Sequence, residues 1–176
     1  MIDDPEFSHV IKLDQIGGQE QAITVSANDP ECAALCGRFD LLALDGLSAT
    51  LLVSKKGATV KVTGQMSATY AQACTASGIP IPVVATERVD FRFVPMLTVT
   101  EAEVELSDAD CDIIEYEGQT VDLGEAVAQS LGLSLDPYPR SADADAHLKA
   151  AGVKVDGEVE NTAFAGLAGL REKLGS

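Results

Sequence analysis

From Ala58 to Cys74, apolar and polar positions alternate almost without a break. Ala58, Val60, Val62, Met66, Ala68 and Tyr70 take the even places; Thr59, Lys61, Thr63, Gln65, Ser67 and Thr69 take the odd ones. Successive side chains of a strand point to opposite sides. The alternation therefore predicts a long strand with one buried and one wet face, and sheet partners on both flanks. Gly64 interrupts the run, and a glycine there predicts a bulge or tight bend.

The other elements fall into order around that strand. Phe7 to Leu13 alternates weakly and predicts a first strand, Gly17 and Gly18 turn the chain, and Ala22 to Val25 predicts a second. Asn28 or Asp29 can cap a short helix that tolerates Pro30 in its first turn. Cys32, Leu35, Cys36 and Phe39 form its apolar stripe. Leu47, Ala49, Leu51 and Val53 alternate with polar neighbours and predict the strand that precedes the organising one. Lys55, Lys56 and Gly57 make the hairpin turn between the two, glycine supplying a positive φ.

After Cys74, Pro80 and Pro82 predict an irregular connection, because proline cannot donate to a ladder. Val83 to Val94 then returns as a strand, with Val89, Phe91 and Phe93 inward and Arg88, Asp90 and Arg92 outward. Glu101 to Asp112 reads as a solvated acidic excursion, with a candidate strand over Leu97 to Val104. Ile113 to Tyr116 predicts another strand, turned by Gly118. Asp122 caps a helix striped by Leu123, Ala126, Val127, Ser130 and Leu131 and ended by Gly132; Glu125 completes a capping-box-like pattern. The expected fold class is α+β: an antiparallel β-sheet meander, open or barrel-like, flanked by a few helices.

Residues 1–140 read as a single α+β domain. Residues 141–160 are mostly alanine, aspartate, glycine and glutamate and predict a mobile acidic linker, since they bury too little to offset their ordering entropy. Residues 161–176 predict a C-terminal amphipathic helix through Phe164, Leu167, Leu170 and Leu174. Docking on its own domain is the favoured role of that helix; a peptide ligand for a partner's groove is the other.

Composition adds bounds. A chain of 176 residues with 46% apolar content can build a proper core, and with 5% aromatics and no tryptophan that core must be aliphatic. No apolar run approaches the ~18 residues of a membrane span. The acidic start, Met1 to Val10, lacks the basic-then-apolar order of a secretory signal. A cytoplasmic protein with its four cysteines reduced is expected.

Charge changes the picture more. The net charge of −16 disfavours nucleic acid and anionic membranes globally, because phosphate neutralisation supplies most nucleic-acid affinity. The charge is uneven, however. Gly46 to Thr86 holds three lysines, Lys55, Lys56 and Lys61, and no acid; Glu101 to Asp122 holds nine acids and no base. The lysines are therefore the RNA-contact candidates. Glu101, Glu103, Glu105 and Asp108 are the candidate site for basic partners, ribosomal proteins being the commonest in a bacterial cytosol. Against this, acidity by itself keeps a protein soluble, and lysines in a turn discourage edge pairing.

Catalytic and metal signals are weak. Cys32 and Cys36 lie four apart on a helix, but Cys74 and Cys111 are isolated and no Cys-x-x-Cys or paired histidine occurs. Structural zinc wants four ligands at tighter spacing, so apolar packing is the expected role and no metal or other cofactor is predicted. His9 and His147 stand alone, no phosphate loop or dinucleotide fingerprint appears, and the aspartates do not follow a calcium-loop pattern. No enzyme is predicted.

In order along the chain stand Cys36-Gly-Arg-Phe39 with Leu42, then Val62-x-Gly64, then Ala71-Gln-Ala-Cys74, and Val89 to Pro95. After them come Gly118-Gln-x-Val-Asp122-Leu-Gly-Glu125, Leu133-x-Leu135-x-Pro137-x-Pro139 and Phe164-Ala-x-Leu167-x-x-Leu170. In this order the motifs resemble the YceD family, the bacterial large ribosomal RNA subunit accumulation proteins, over most of Asp29 to Leu174. The resemblance implies a non-enzymatic role in ribosome biogenesis, supporting accumulation of large-subunit (23S) ribosomal RNA. The implied partners are a ribosomal protein or the large-subunit rRNA precursor. Some members carry Cys-x-x-Cys at the Cys74 position and further cysteines after the late prolines, a set able to bind metal. Here Ser77 stands in place of the second cysteine and none follows Pro139. The family's Asn-Pro-Phe is Asn161-Thr-Ala-Phe164. Two other readings stand beside this one. A small-molecule binding module would use the interior of the curved sheet, and a hydrolase would need an unseen carboxylate pair in a cleft.

Overall fold

The computed structural model describes residues 5–96 and 112–154. Among them the strands are β1 Val10–Lys12, β2 Gln21–Ser26, β3 Ala43–Lys56, β4 Thr59–Ala73, β5 Pro80–Pro95, β6 Ile113–Tyr116 and β7 Thr120–Asp122. The helices are α1 Asp29–Arg38, α2 Leu123–Ser134 and α3 Ala144–Ala150. Five strands form one sheet in the order β2-β3-β4-β5-β6, and β1 pairs with β7 in a separate two-stranded sheet. The larger sheet is open, with β2 and β6 at its margins, so the barrel-like alternative does not hold. It is a meander through β5. β6 then adds parallel to β5, which the alternation could not foretell.

β4 is the centre, paired along its length with β3 and β5. Val60, Val62 and Met66 are fully buried, and Ala68 and Tyr70 nearly so, while the odd positions stay exposed or half-buried. Leu47, Ala49, Leu51 and Val53 on β3 and Val89, Phe91 and Phe93 on β5 line the same inner face. α2 packs across that face, touching β1, β2, β4 and β5, and buries Leu123, Ala126, Val127, Ala128 and Leu131. The opposite face of the sheet is largely polar, with Ser48, Thr50, Thr63, Gln65, Ser67 and Thr69 along β3 and β4.

Gly64 is not a bulge. The register runs through it without a shift, Leu51↔Gly64↔Val89, and the irregularity sits in β3 between Leu44 and Gly46. Glycine is required at 64 because a Cβ would lie 2.2 Å from the Thr50 carbonyl oxygen. The prolines are also placed differently from expectation. Pro80 and Pro82 lie inside β5, opposite Ala73 and Ala71, where β6 does not reach and one edge of the strand needs no donor.

The helix caps follow from single residues. Asn28 closes a full capping box on α1, its side chain accepting from Glu31 N–H at 3.0 Å and the Glu31 carboxylate accepting from Asn28 N–H at 2.8 Å. Asp122 accepts from Gly124 N–H at 2.9 Å and Glu125 N–H at 3.1 Å. Glu125 does not complete a box there. It forks onto Arg38 at 2.8 Å through both carboxylate oxygens, and Arg38 also holds Glu6 at 2.9 Å. This ties α1, α2 and the N-terminal segment together. α2 continues past Gly132 to Ser134. Within the expected linker, residues 144–150 form α3, with Ala144 buried and Arg140 paired to Asp145. The candidate strand over Leu97 to Val104 and the helix through Phe164 and Leu174 lie outside the described residues.

Candidate functional site: a cationic sheet face and a thiol clasp

The three candidate lysines do not share one surface. β3 buries its odd positions at this end and β4 its even ones, so parity sends Lys56 and Lys61 to the outer face and Lys55 to the inner. Lys55 is half-buried there; its ammonium donates to the Leu13 carbonyl and its N–H to the Gly17 carbonyl at 2.9 Å. It ties the segment after β1 to the hairpin. The turn itself is Gly57 and Ala58, with Gly57 at φ 64°, and the two lysines before it belong to the strand.

The register supplies two cations in place of Lys55. Lys61 lies directly opposite Arg92, and Gln65 directly opposite Arg88. Both arginines take even positions on β5 and share the outer face with Lys56 and Lys61. Like charges directly opposed on a sheet are destabilising. The lower half of this face thus gathers Lys56, Lys61, Arg88 and Arg92 against Asp90 and Glu115, in a chain of net charge −16. The pairing of Lys61 with Arg92 was hidden in the sequence because the two are distant along the chain. Glu101, Glu103, Glu105 and Asp108, the candidate acidic site, lie outside the described residues.

The other end of β4 carries a second constellation. Cys74 is buried, and the Ser141 N–H donates to its sulfur at 3.4 Å and the Ser141 hydroxyl at 3.6 Å. Ser77 Oγ, shut off from solvent and without a hydrogen-bond partner, lies close enough to favour the thiolate. The Ser141 N–H is the largest influence, followed by the Ser77 and Ser141 hydroxyls; together they bring the thiol down to about 6 against the opposing effect of burial. Around it, Thr75 N–H donates to the Pro139 carbonyl at 2.8 Å, and Gln72 reaches the Asp136 carbonyl at 2.9 Å.

One thiol and two hydroxyls do not fit a structural metal, which wants thiolates or imidazoles. Among the described residues, no three of His, Cys, Asp or Glu come close enough to hold an ion. Cys32 and Cys36 face different backbone carbonyls, Ala27 at 3.9 Å and Leu41 at 3.0 Å, and burial pushes the Cys32 thiol up. They pack α1 onto the sheet.

No protein-family model, no curated protein and no solved structure matches this chain. Among the described residues, no helix is long and apolar enough to cross a membrane.

Proposed function

We propose that this chain is a non-enzymatic, cytoplasmic accessory protein of ribosome biogenesis that supports accumulation of large-subunit ribosomal RNA. The observation that carries this reading is the meeting of Cys74, Ser77 and Ser141. Some YceD members carry extra cysteines at the position of Ser77 and after that of Pro139, in segments that here lie more than sixty residues apart. Those segments touch here through the Ser141–Cys74 and Thr75–Pro139 hydrogen bonds, which is the proximity that such a cysteine set needs.

In this reading the acidic surface, with Glu101, Glu103, Glu105 and Asp108, engages a basic ribosomal protein. The outer face meets RNA through Lys56, Lys61 and Arg88. Three such cations make few phosphate contacts, and each contributes a salt slope of about −0.7 to −0.9, so RNA contact is auxiliary to the protein partner. The small-molecule alternative gains no specific support. Leu47, Leu51, Val53, Val60, Val62 and Met66 fill the inner face, each at most 2% exposed.

Crosslinking and affinity capture of the tagged protein from its own cells test the reading. Recovery of large-subunit rRNA and basic ribosomal proteins is expected, with rRNA crosslinks reduced in the Lys56→Gln, Lys61→Gln, Arg88→Gln variant. Capture without any large-subunit component would remove the proposal.

A further inference from the structure

β5 is paired unevenly. β4 pairs with it from Pro80 to Phe93, whereas β6 joins the other edge only over Arg92 to Pro95. Upstream of Arg92, that other edge has no strand neighbour among the described residues.

Two hydrogen bonds set the parity of this edge. Arg92 N–H donates to the Asp112 carbonyl and Met96 N–H to the Tyr116 carbonyl, each at 2.9 Å. The register against β4 has no shift, so every even residue of β5 turns its backbone groups the same way, away from β4. Val84, Thr86, Arg88 and Asp90 therefore present N–H and C=O groups along the open edge. Pro80 and Pro82 share that parity, and the N–H each lacks would have faced outward. Proline bounds the open stretch at one end and β6 at the other. Between them lie residues 84–90, about 23 Å of strand at ~3.3 Å per residue.

Beside this edge, a groove of about 380 Å³ opens between β5 and α2. Met66, Phe91 and Ile113 contribute apolar surface to it, and Leu133, 83% exposed, stands on the helix side. Glu87, Asp90 and Asp112 line it against a single cation, Arg88.

We propose that this edge takes an extended, basic peptide segment of a partner protein by strand addition. The peptide pairs with the outward backbone groups of Val84, Thr86, Arg88 and Asp90, and alternate side chains enter the groove. Charge selects the occupant. Asp90 and Arg88 offset each other on the outer side of the edge, which leaves Glu87 and Asp112 as the uncompensated charges of the groove; on a chain of net charge −16 they attract a basic segment and repel a second copy of this chain. The inference rests on the proposed role of the acidic surface in binding basic partners, and adds the backbone register that would hold one.

The test uses the full chain and a synthetic peptide of about nine residues alternating lysine and valine, with a twin N-methylated at alternate residues. Peptide binding should slow amide exchange at Val84, Thr86, Arg88 and Asp90, while the β4-facing amides of β5 remain slow throughout. Thr86→Pro removes one outward donor and no donor to β4, so the sheet should survive and affinity fall about tenfold or more. The N-methylated twin should bind as poorly to the native chain, which keeps the test valid if the variant is unstable. Equal binding by both peptides would overturn strand addition and leave a purely electrostatic acidic surface. Absence of any binding would overturn both readings. Slow exchange at the four amides without peptide would also overturn it: the edge would be covered by a second copy if dilution relieves the protection, and by the chain itself if not.

Discussion

The two ends of β4 are closed in opposite ways. At the hairpin end the chain reverses through Gly57 and Ala58, and Lys56 pairs with Thr59 only three residues on. At the Cys74 end the closure is long-range. Ser141 donates to Cys74 across 67 residues, and Gln72 and Thr75 reach Asp136 and Pro139 across 64. A local turn needs only its own residues to form, whereas the clasp exists only after α2 has brought Asp136 to Ser141 back to the sheet. The cationic strip beside the first end and the lowered thiol at the second therefore depend on the fold to different degrees.

The harshest way to break this comparison is to break the strand both ends share. Gly64→Val places a Cβ 2.2 Å from the Thr50 carbonyl oxygen, which backbone cannot relieve cheaply. A loss of about 4 kcal/mol or outright unfolding is expected in a denaturant titration, taking hairpin and clasp together. A fully folded variant would show that β3 can slide away from β4.

Next in size is the clasp. A thiol whose folded pKa is about 6 and whose unfolded value is ~8.5 stabilises the fold fully above pH ~8.5. That contribution is lost as pH falls through 6, where both states hold the proton. Cys74→Ala should therefore lower the melting temperature more at pH 8.5 than at pH 5.5. A pH-independent gap would mean the thiol stays protonated and the donors around it are incidental. Thiolate absorbance in the native protein should titrate near the same value.

Smaller still is the local turn. Gly57 sits at φ 64°, where a side chain is strained, so Gly57→Ala should cost about 1 kcal/mol while leaving the Cys74 titration unmoved. A shift of that titration would mean the two ends are coupled through β4. The smallest effect belongs to Lys61→Gln, which relieves the opposition to Arg92 and should change stability by less than about 0.5 kcal/mol, with a sign toward stabilisation. A clear destabilisation would show that Lys61 serves the sheet rather than its surface.

By itself the sequence determined the elements whose causes are local. Alternation from Ala58 to Tyr70 specified β4 and its buried side, because the pleat has a period of two. Asn28 with Glu31 specified the start of α1, Asp122 that of α2, and Gly57 the hairpin. Only the tertiary structure decided what depends on register and return paths. The bulge between Leu44 and Gly46 resets the side-chain parity of β3, and parity then separates Lys55 from Lys56. Pairing of β5 against β4 set Arg92 opposite Lys61 and turned the prolines to an open edge. Glu125, legible as a capping residue, was claimed by Arg38, 87 positions away. The approach of Ser141 to Cys74 has no local signal at all, since the hydrogen bonds that create it form only once the chain has folded back across the sheet.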